Sequence, residues 1–222
     1  MSLRLFDVFH AMRAAPVAAL LVAVLAAGRS EAALKPGDAA PAFKTQASLA
    51  GKAFEFNLKD QIAKGPVVVY FYPAAYTNGC NIQAHTFAEH IADFRAAGAT
   101  VVGVSLDSIE RLNEFSADPD YCAGKLPVAS DPGGRIALSY DLQLRPAGGG
   151  RKDTRGREID HASTERTTFV VGPDGKVAAA IGGVAPDANV LQALAFVRTL
   201  AATPGSRSTS DLTSPLPQRI QP

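Results

Sequence analysis

Six consecutive apolar residues at 67–72, VVVYFY, give way after Pro73 and a short turn to apolar positions three and four apart. The unbroken run, bounded by Gly65-Pro66 and Pro73, predicts a central strand covered on both faces. From Asn81 the period lengthens: Ala84, Phe87, Ala88, Ile91 and Phe94 predict a helix that Gly98 ends. Residues 100–106 return to strand character, so the stretch spells a β-α-β unit. Upstream, alternation of Phe54, Phe56 and Leu58 predicts a short half-buried strand, preceded by a proline-marked entry loop over 33–41. Downstream, helices are predicted over 109–116 and 134–140, the second after the Asp131-Pro132-Gly133 turn. Residues 167–171 and 176–181 read as antiparallel strands joined by Gly172-Pro173-Asp174-Gly175. The last helix begins near Pro186-Asp187 and carries Val190, Leu191, Leu194, Val197 and Leu200 on one face. Elements mixed in this order predict an α/β fold, a central mixed sheet flanked by helices on both faces. The polar, glycine-rich stretch 146–165 is expected to be a surface excursion before the hairpin.

The two ends fall outside this pattern. Arg4 and Arg13 precede the apolar run 14–27, and Ser30-Glu31-Ala32 offers a small residue before a cut. That arrangement predicts a secretory signal over 1–32, too short in apolar length to serve as a membrane anchor. The protein is therefore expected to be periplasmic or secreted, with no stable membrane insertion after signal cleavage. Residues 204–222, rich in Pro, Ser, Thr and Gln, are expected to be a disordered tail, leaving one domain over 33–203.

Charge and cysteine count narrow the function. Of the 22 basic and 21 acidic residues, Arg4, Arg13, Arg29, Asp7 and Glu31 go with the signal, so the remainder is balanced. A balanced surface gives no support to nucleic-acid binding. No Cys/His cluster has zinc spacing, and His85 and His90 are off the spacing for a shared metal. Gly148-Gly149-Gly150-Arg151-Lys152 lacks the order of a phosphate-binding loop. The two cysteines, Cys80 and Cys122, suit either a permanent disulfide or a redox pair.

Cys80 closes the turn after the apolar run, which aims its sulfur at the first turn of a helix. Unpaired N–H groups and the helix dipole favour a thiolate there, hence a nucleophile. Thr77 can place a hydroxyl over the same turn. Pro73 ends the strand without bringing an N–H that needs a partner. Gly79 lets the backbone approach the sulfur or take a strained dihedral. The plainer reading makes Cys80 a buried, inert thiol and the Pro and Gly mere turn formers.

Pro73-x-x-x-Thr77-x-x-Cys80, placed after VVVYFY, resembles the active-site signature of the peroxiredoxins, thiol-dependent peroxidases on a thioredoxin-like fold. The similarity extends through KPGDAAPAF (35–43), VVGVSLD (101–107), PVASDPGG (127–134) and RTTFVVGPDG (166–175), and is closest to the bacterioferritin-comigratory or Q-type subgroup. It implies that Cys80 is the peroxidatic cysteine, attacking hydrogen peroxide or small organic hydroperoxides to give a sulfenic acid. Arg166 matches the arginine that reaches over the pocket, where a guanidinium stabilises the thiolate and holds a peroxide oxygen. Thr77 is then expected to bind the peroxide and Pro73 to shield the thiolate, with the N–H groups of Gly79 and Cys80 completing the pocket. Many relatives carry a resolving cysteine five residues on, where this chain has His85, read as a surface or partly buried helix residue.

The remaining candidate resolver is Cys122, in the turn-rich DPDYCAG over 118–124. Such a setting suits a residue that must move to form an intramolecular disulfide, with an outside thiol as the alternative. The implied chemistry needs no metal, haem or flavin. It takes a peroxide substrate and a thioredoxin-like or other dithiol reductant, and a monomer is expected. Two other readings stand beside it. A thiol–disulfide oxidoreductase on the same fold is disfavoured because Thr77 stands where C-x-x-C requires a cysteine. A non-catalytic protein would instead carry a permanent Cys80–Cys122 bridge.

Overall fold

The computed structural model describes residues 33–202; the expected signal over 1–32 and the expected tail over 204–222 lie outside the described residues. The first elements are a hairpin, β1 (Lys44–Leu49) and β2 (Lys52–Asn57), with Lys44 opposite Asn57. Its turn residues Ala50 and Gly51 have φ of 51° and 77°, the left-handed conformation that tight hairpins require. The sequence pattern did not reveal β1, because its buried positions are only Ala47 and Ser48. Nor does Leu58 continue β2 as its alternation suggested. Asn57 Oδ1 accepts from the Lys59 N–H at 3.1 Å and so caps a helical turn, α1 (Leu58–Ile62).

The β-α-β unit forms as the periodicity predicts, from β3 (Val67–Phe71), α2 (Asn78–Ala96) and β4 (Thr100–Ser105), with β3 and β4 parallel. Next come α3 (Ile109–Ala117), β5 (Val128–Ser130) and α4 (Arg135–Ser139). A short antiparallel pair, β6 (Leu144–Arg145) and β7 (Ser163–Thr164), closes the base of the excursion. The predicted hairpin is β8 (Thr167–Val171) and β9 (Val177–Gly182), followed by α5 (Pro186–Ala202). Among the described residues a seven-stranded mixed sheet runs β2-β1-β5-β4-β3-β8-β9, with β3, β4 and β5 parallel. This is a thioredoxin-like α/β arrangement.

Why β3 is apolar on both faces is plain from its neighbours. Val68, Tyr70 and Tyr72 join the core under α2, α3 and α5, while Val67, Val69 and Phe71 join the opposite core with Leu58 of α1 and Ala137 of α4. The Tyr70 ring stacks on Phe87 at 4.4 Å and on Tyr72 at 5.3 Å. Burying an apolar ring of this size stabilises a fold by roughly 1.5–3 kcal/mol, a gain offset in part at Tyr70, whose buried hydroxyl has no hydrogen-bond partner. Gly103, paired with Tyr70 across β3 and β4, makes room for that ring: a Cβ there would sit 2.5 Å from it. On α5 the expected apolar face is only partly right. Leu191 is 48 % exposed, whereas Asn189, polar and unremarked in the sequence, is buried.

Candidate functional site

Strand β3 ends at the sheet centre, and the next residues turn back into α2, so the helix begins just beyond the carboxyl end of a central parallel strand. Open α/β sheets commonly place ligand sites there. Cys80 lies in the first turn of α2 and is 2 % exposed, a thiol reachable only by a small molecule. Thr77 occupies the N-cap position without making a side-chain capping bond, so it leaves the first-turn N–H groups to other partners. Its hydroxyl instead donates to the Ala74 carbonyl at 3.0 Å. With its proton engaged on Ala74, the hydroxyl has only its lone pairs to offer a ligand, so it meets the site as an acceptor. Pro73 is half-buried at the end of β3.

Arg166, on the residue before β8, comes to this turn across the sheet. Its Nη2 donates to Cys80 Sγ at 3.5 Å, and its Nη1 donates to Gln83 Oε1. Gly79 is what allows the approach. A Cβ at that position would lie 3.0 Å from Arg166 Nη2 and 3.3 Å from Pro186 Cγ. Gly79 is helical, so of the two roles the sequence offered it, the close approach applies and the strained dihedral does not.

The excursion over 146–165 is not a detached surface loop. Thr154 bonds the Tyr76 carbonyl twice, through its N–H and its hydroxyl, both at 2.8 Å, and its Oγ1 accepts from Asn81 Nδ2 at 3.3 Å. Tyr76 has φ of 62°, an uncommon conformation for a non-glycine residue, which these contacts hold in place. Its ring lies between the guanidinium groups of Arg111 and Arg155, at 4.1 and 3.9 Å from the ring centre. Arg111 pairs with Asp153, Arg155 with Asp118, and Arg157 with Glu114. The excursion thus grips both the turn before Cys80 and α3 along its length, from Arg111 in the first turn to Asp118 just past the last.

A second brace holds the turn from below. Asp107, just after β4, accepts from the Ala75 N–H at 2.8 Å and from the Ser105 hydroxyl at 2.7 Å, and His161 Nε2 lies 3.1 Å from its other oxygen. The hydrogen bond to Asp107 holds the His161 pKa above its ordinary value, against the opposing effect of burial. A raised folded pKa means that the stabilisation is fully present below about pH 6.5 and is lost as pH rises through the folded value. The melting-temperature gap between wild type and His161→Gln is therefore expected to be widest below about pH 6 and to narrow at higher pH. A gap that stays constant with pH would show that this pair is not the coupled group.

Cys122 lies beyond α3 in the expected turn, but it is fully buried in the same core cluster as Cys80. Both cysteines are free thiols. Burial pushes the Cys122 pKa strongly upward, with Asp118 adding to it. The turn itself is held by Arg155 on Asp118 and by His85, whose Nδ1 lies 2.9 Å from the Asp120 carbonyl. His85 is thus a surface helix residue, as expected, but one that ties α2 to the turn carrying Cys122. Asp107, His161, Thr154, Gln83 and Asn189 were all missed from sequence. Only Gln83 left a trace, a polar residue on the buried side of α2 one turn beyond Cys80.

Among the described residues no helix is long and apolar enough to cross a membrane, and no group of three or more His, Cys, Asp or Glu is placed to hold a metal ion. The family model of AhpC/TSA matches residues 36–180. The chain is 37 % identical over 147 residues to a putative peroxiredoxin of Mycobacterium tuberculosis, covering 66 % of this chain and 84 % of that protein. It is 32 % identical over 145 residues to peroxiredoxin Bcp of Escherichia coli, covering 65 % and 83 %. Among solved structures, peroxidoxin BcpB of M. tuberculosis superposes with a TM-score of 0.63 at 28 % identity, covering 75 % of this chain and 98 % of that one. The bacterioferritin comigratory protein of Xanthomonas campestris gives 0.56 at 27 % identity, covering 70 % and 91 %.

Proposed function

The chain belongs to the AhpC/TSA family, close to the bacterioferritin-comigratory type of peroxiredoxin, and from that membership we propose that it is a monomeric peroxidase acting through Cys80, and from the arginine-flanked apolar run 14–27 that it is exported. Thiol-dependent peroxide reduction is the general chemistry of the family. The observation that carries the assignment to Cys80 is the guanidinium nitrogen of Arg166 at 3.5 Å from its sulfur, beside a helix N-terminus that Thr77 leaves uncapped.

In this reading a peroxide enters over Cys80 with its O–H donating to Thr77 Oγ1, while Arg166 and the N–H groups of Gly79 and Cys80 donate to its oxygens. The sulfur electron pair forms an S–O bond as the O–O bond breaks. The departing hydroxide or alkoxide takes a proton from solvent and leaves as water or alcohol, and Cys80 becomes a sulfenic acid. The burial of Cys80 favours hydrogen peroxide and small organic hydroperoxides. Thr77→Val is expected to lower kcat/KM for peroxide about 10²-fold, and Thr77→Ser to keep most of it. Steady-state kinetics on the pair checks this; a valine variant within about twofold of wild type would remove Thr77 from the site.

Resolution is the second half of the proposal. Cys122 attacks the sulfenic acid, expelling water and forming the Cys80–Cys122 disulfide, which a thioredoxin-like or other dithiol protein then reduces. Buried as it is, Cys122 must be freed by local opening. The contact that opens at least cost is the outer one, the exposed His85 ring on the Asp120 carbonyl, whereas Arg155–Asp118 has its carboxylate buried. Mass spectrometry after stoichiometric peroxide tests the whole scheme. Wild type is expected to show the disulfide, and Cys122→Ser a single added oxygen on Cys80. A Cys80 left unmodified in both would refute it, and a wild-type sulfenic acid that reacts only with added thiol would transfer the resolving role to an outside partner.

A further inference from the structure

Of the five asparagines in the chain, only Asn78 is followed by glycine. Beside a glycine the next backbone nitrogen reaches the side-chain amide carbon most readily, because no Cβ hinders the approach. The interior of a helix suppresses that attack by engaging each N–H on a carbonyl one turn back. Asn78 and Gly79 occupy the first two positions of α2, where this protection is missing. Nothing else replaces it. Thr77, at the N-cap, makes no side-chain bond to the first turn. The Tyr76 carbonyl, which a tighter turn would offer to the Gly79 N–H, already accepts twice from Thr154 at 2.8 Å, filling both its lone pairs. Among the described residues the Gly79 N–H therefore has no partner. The Asn78 side chain is exposed, and no described residue hydrogen-bonds its carboxamide. Elsewhere Asn57 caps α1, and Asn81 and Asn189 are buried and hydrogen-bonded. Nor is the glycine free to change, since a Cβ at position 79 would lie 3.0 Å from Arg166 Nη2.

We propose that Asn78 is a site of spontaneous deamidation in the folded protein, and that its conversion to aspartate and isoaspartate slows the reaction of Cys80. The Gly79 nitrogen gives its proton to hydroxide and forms a bond to Asn78 Cγ. The Cγ–Nδ2 bond breaks, Nδ2 takes a proton from water and leaves as ammonia, and a five-membered succinimide remains. Water then opens the ring. Breaking the new N–Cγ bond leaves aspartate in an unaltered chain. Breaking the original peptide bond leaves isoaspartate, in which the chain runs through Cβ and Cγ and is one carbon longer. Aspartate suits the first position of a helix, so the fold is expected to survive, but its charge two residues from Cys80 opposes a thiolate. Isoaspartate does more damage, because the extra carbon displaces Gly79, which has no spare room beside Arg166, and Cys80 with it. The N–H left open toward the site is thus the one that closes the ring. The modification is independent of the peroxidase reading above; only its cost to peroxide reduction rests on it.

The test ages the Cys122→Ser protein, kept reduced, at several mildly alkaline pH values. Mass spectrometry follows the peptide carrying Asn78, and enzymatic methylation counts isoaspartate. Asn78 alone is expected to gain about 1 Da, at a rate proportional to hydroxide, while the other four asparagines stay intact. Asn78→Gln, whose ring would need six members, is expected to stay unmodified and to keep the starting rate of Cys80 alkylation by iodoacetamide. In the aged parent that alkylation is expected to become biphasic, with a phase about tenfold slower whose amplitude matches the isoaspartate content. Asn78→Asp carries the charge without the longer chain, and is expected to move the alkylation profile up by only about 0.3 pH unit. An Asn78 that stays intact in the folded protein, over a time in which the same chain in denaturant is converted, would overturn the site. Aged protein rich in isoaspartate that alkylates at the fresh rate would overturn its effect on Cys80. Biphasic alkylation in a protein whose fresh form consumes no peroxide would support the modification and refute the peroxidase reading.

Discussion

Cys80→Ser is expected to lower peroxide consumption by about 10³-fold or more, to the level of the uncatalysed background. The hydroxyl that replaces the thiol is a far weaker nucleophile, and the site provides no base to activate it. Cys80 Sγ has one polar side-chain contact, Arg166, which can only donate. Nothing else in the fold should suffer, because serine fits the volume and Cys80 forms no disulfide. Loss of turnover with an unchanged melting temperature is thus the outcome that separates a catalytic sulfur from a packing one. The opposite pattern, turnover intact and stability reduced, would make Cys80 a core residue and end the peroxidase assignment.

Removing the Arg166 guanidinium is expected to cost about 10²–10³-fold in the rate of Cys80 oxidation, the usual loss when a donor aimed at developing charge is deleted. Arg166→Met takes away both the charge and the fork. Arg166→Lys keeps the charge, but a single ammonium cannot reach Gln83 and Cys80 from two fixed nitrogens, so it is expected to recover only part of the rate. Stopped-flow oxidation in the Cys122→Ser background measures this step alone. If Arg166→Met oxidised within about twofold of its parent, the 3.5 Å contact would be incidental.

Much of the fold was legible because it is written in local periods. VVVYFY is apolar at every position since both faces of β3 meet a core, and α2 shows its helical spacing because one side meets that core. The hairpin of β8 and β9 is marked by its own turn residues. By contrast, β1 escaped detection because its partners supply its environment: Ala47 and Ser48 are buried by neighbours far away in sequence. Leu191 was placed on the buried face of α5, yet that face admits Asn189, whose hydrogen bonds come from α2, β8 and β9. The excursion lies on the surface, as its charges suggest, but their pairing with Arg111, Glu114 and Asp118 on and just after α3 could not be read from the sequence.

The candidate site divides along the same line. Pro73, Thr77, Gly79 and Cys80 lie within one strand-to-helix turn, so their spacing states their proximity, and sequence alone was enough to single them out. Arg166 was reachable only through family resemblance, since no local pattern brings residue 166 to residue 80. That meeting belongs to the pairing of β3 with β8. The same pairing of distant strands and helices put Gln83 and Asn189 behind the arginine and buried Cys122. Contacts made within a few residues are encoded in the order of the chain. Contacts between segments a hundred residues apart exist only once the sheet has been assembled, and there the electrostatics of Cys80 is set.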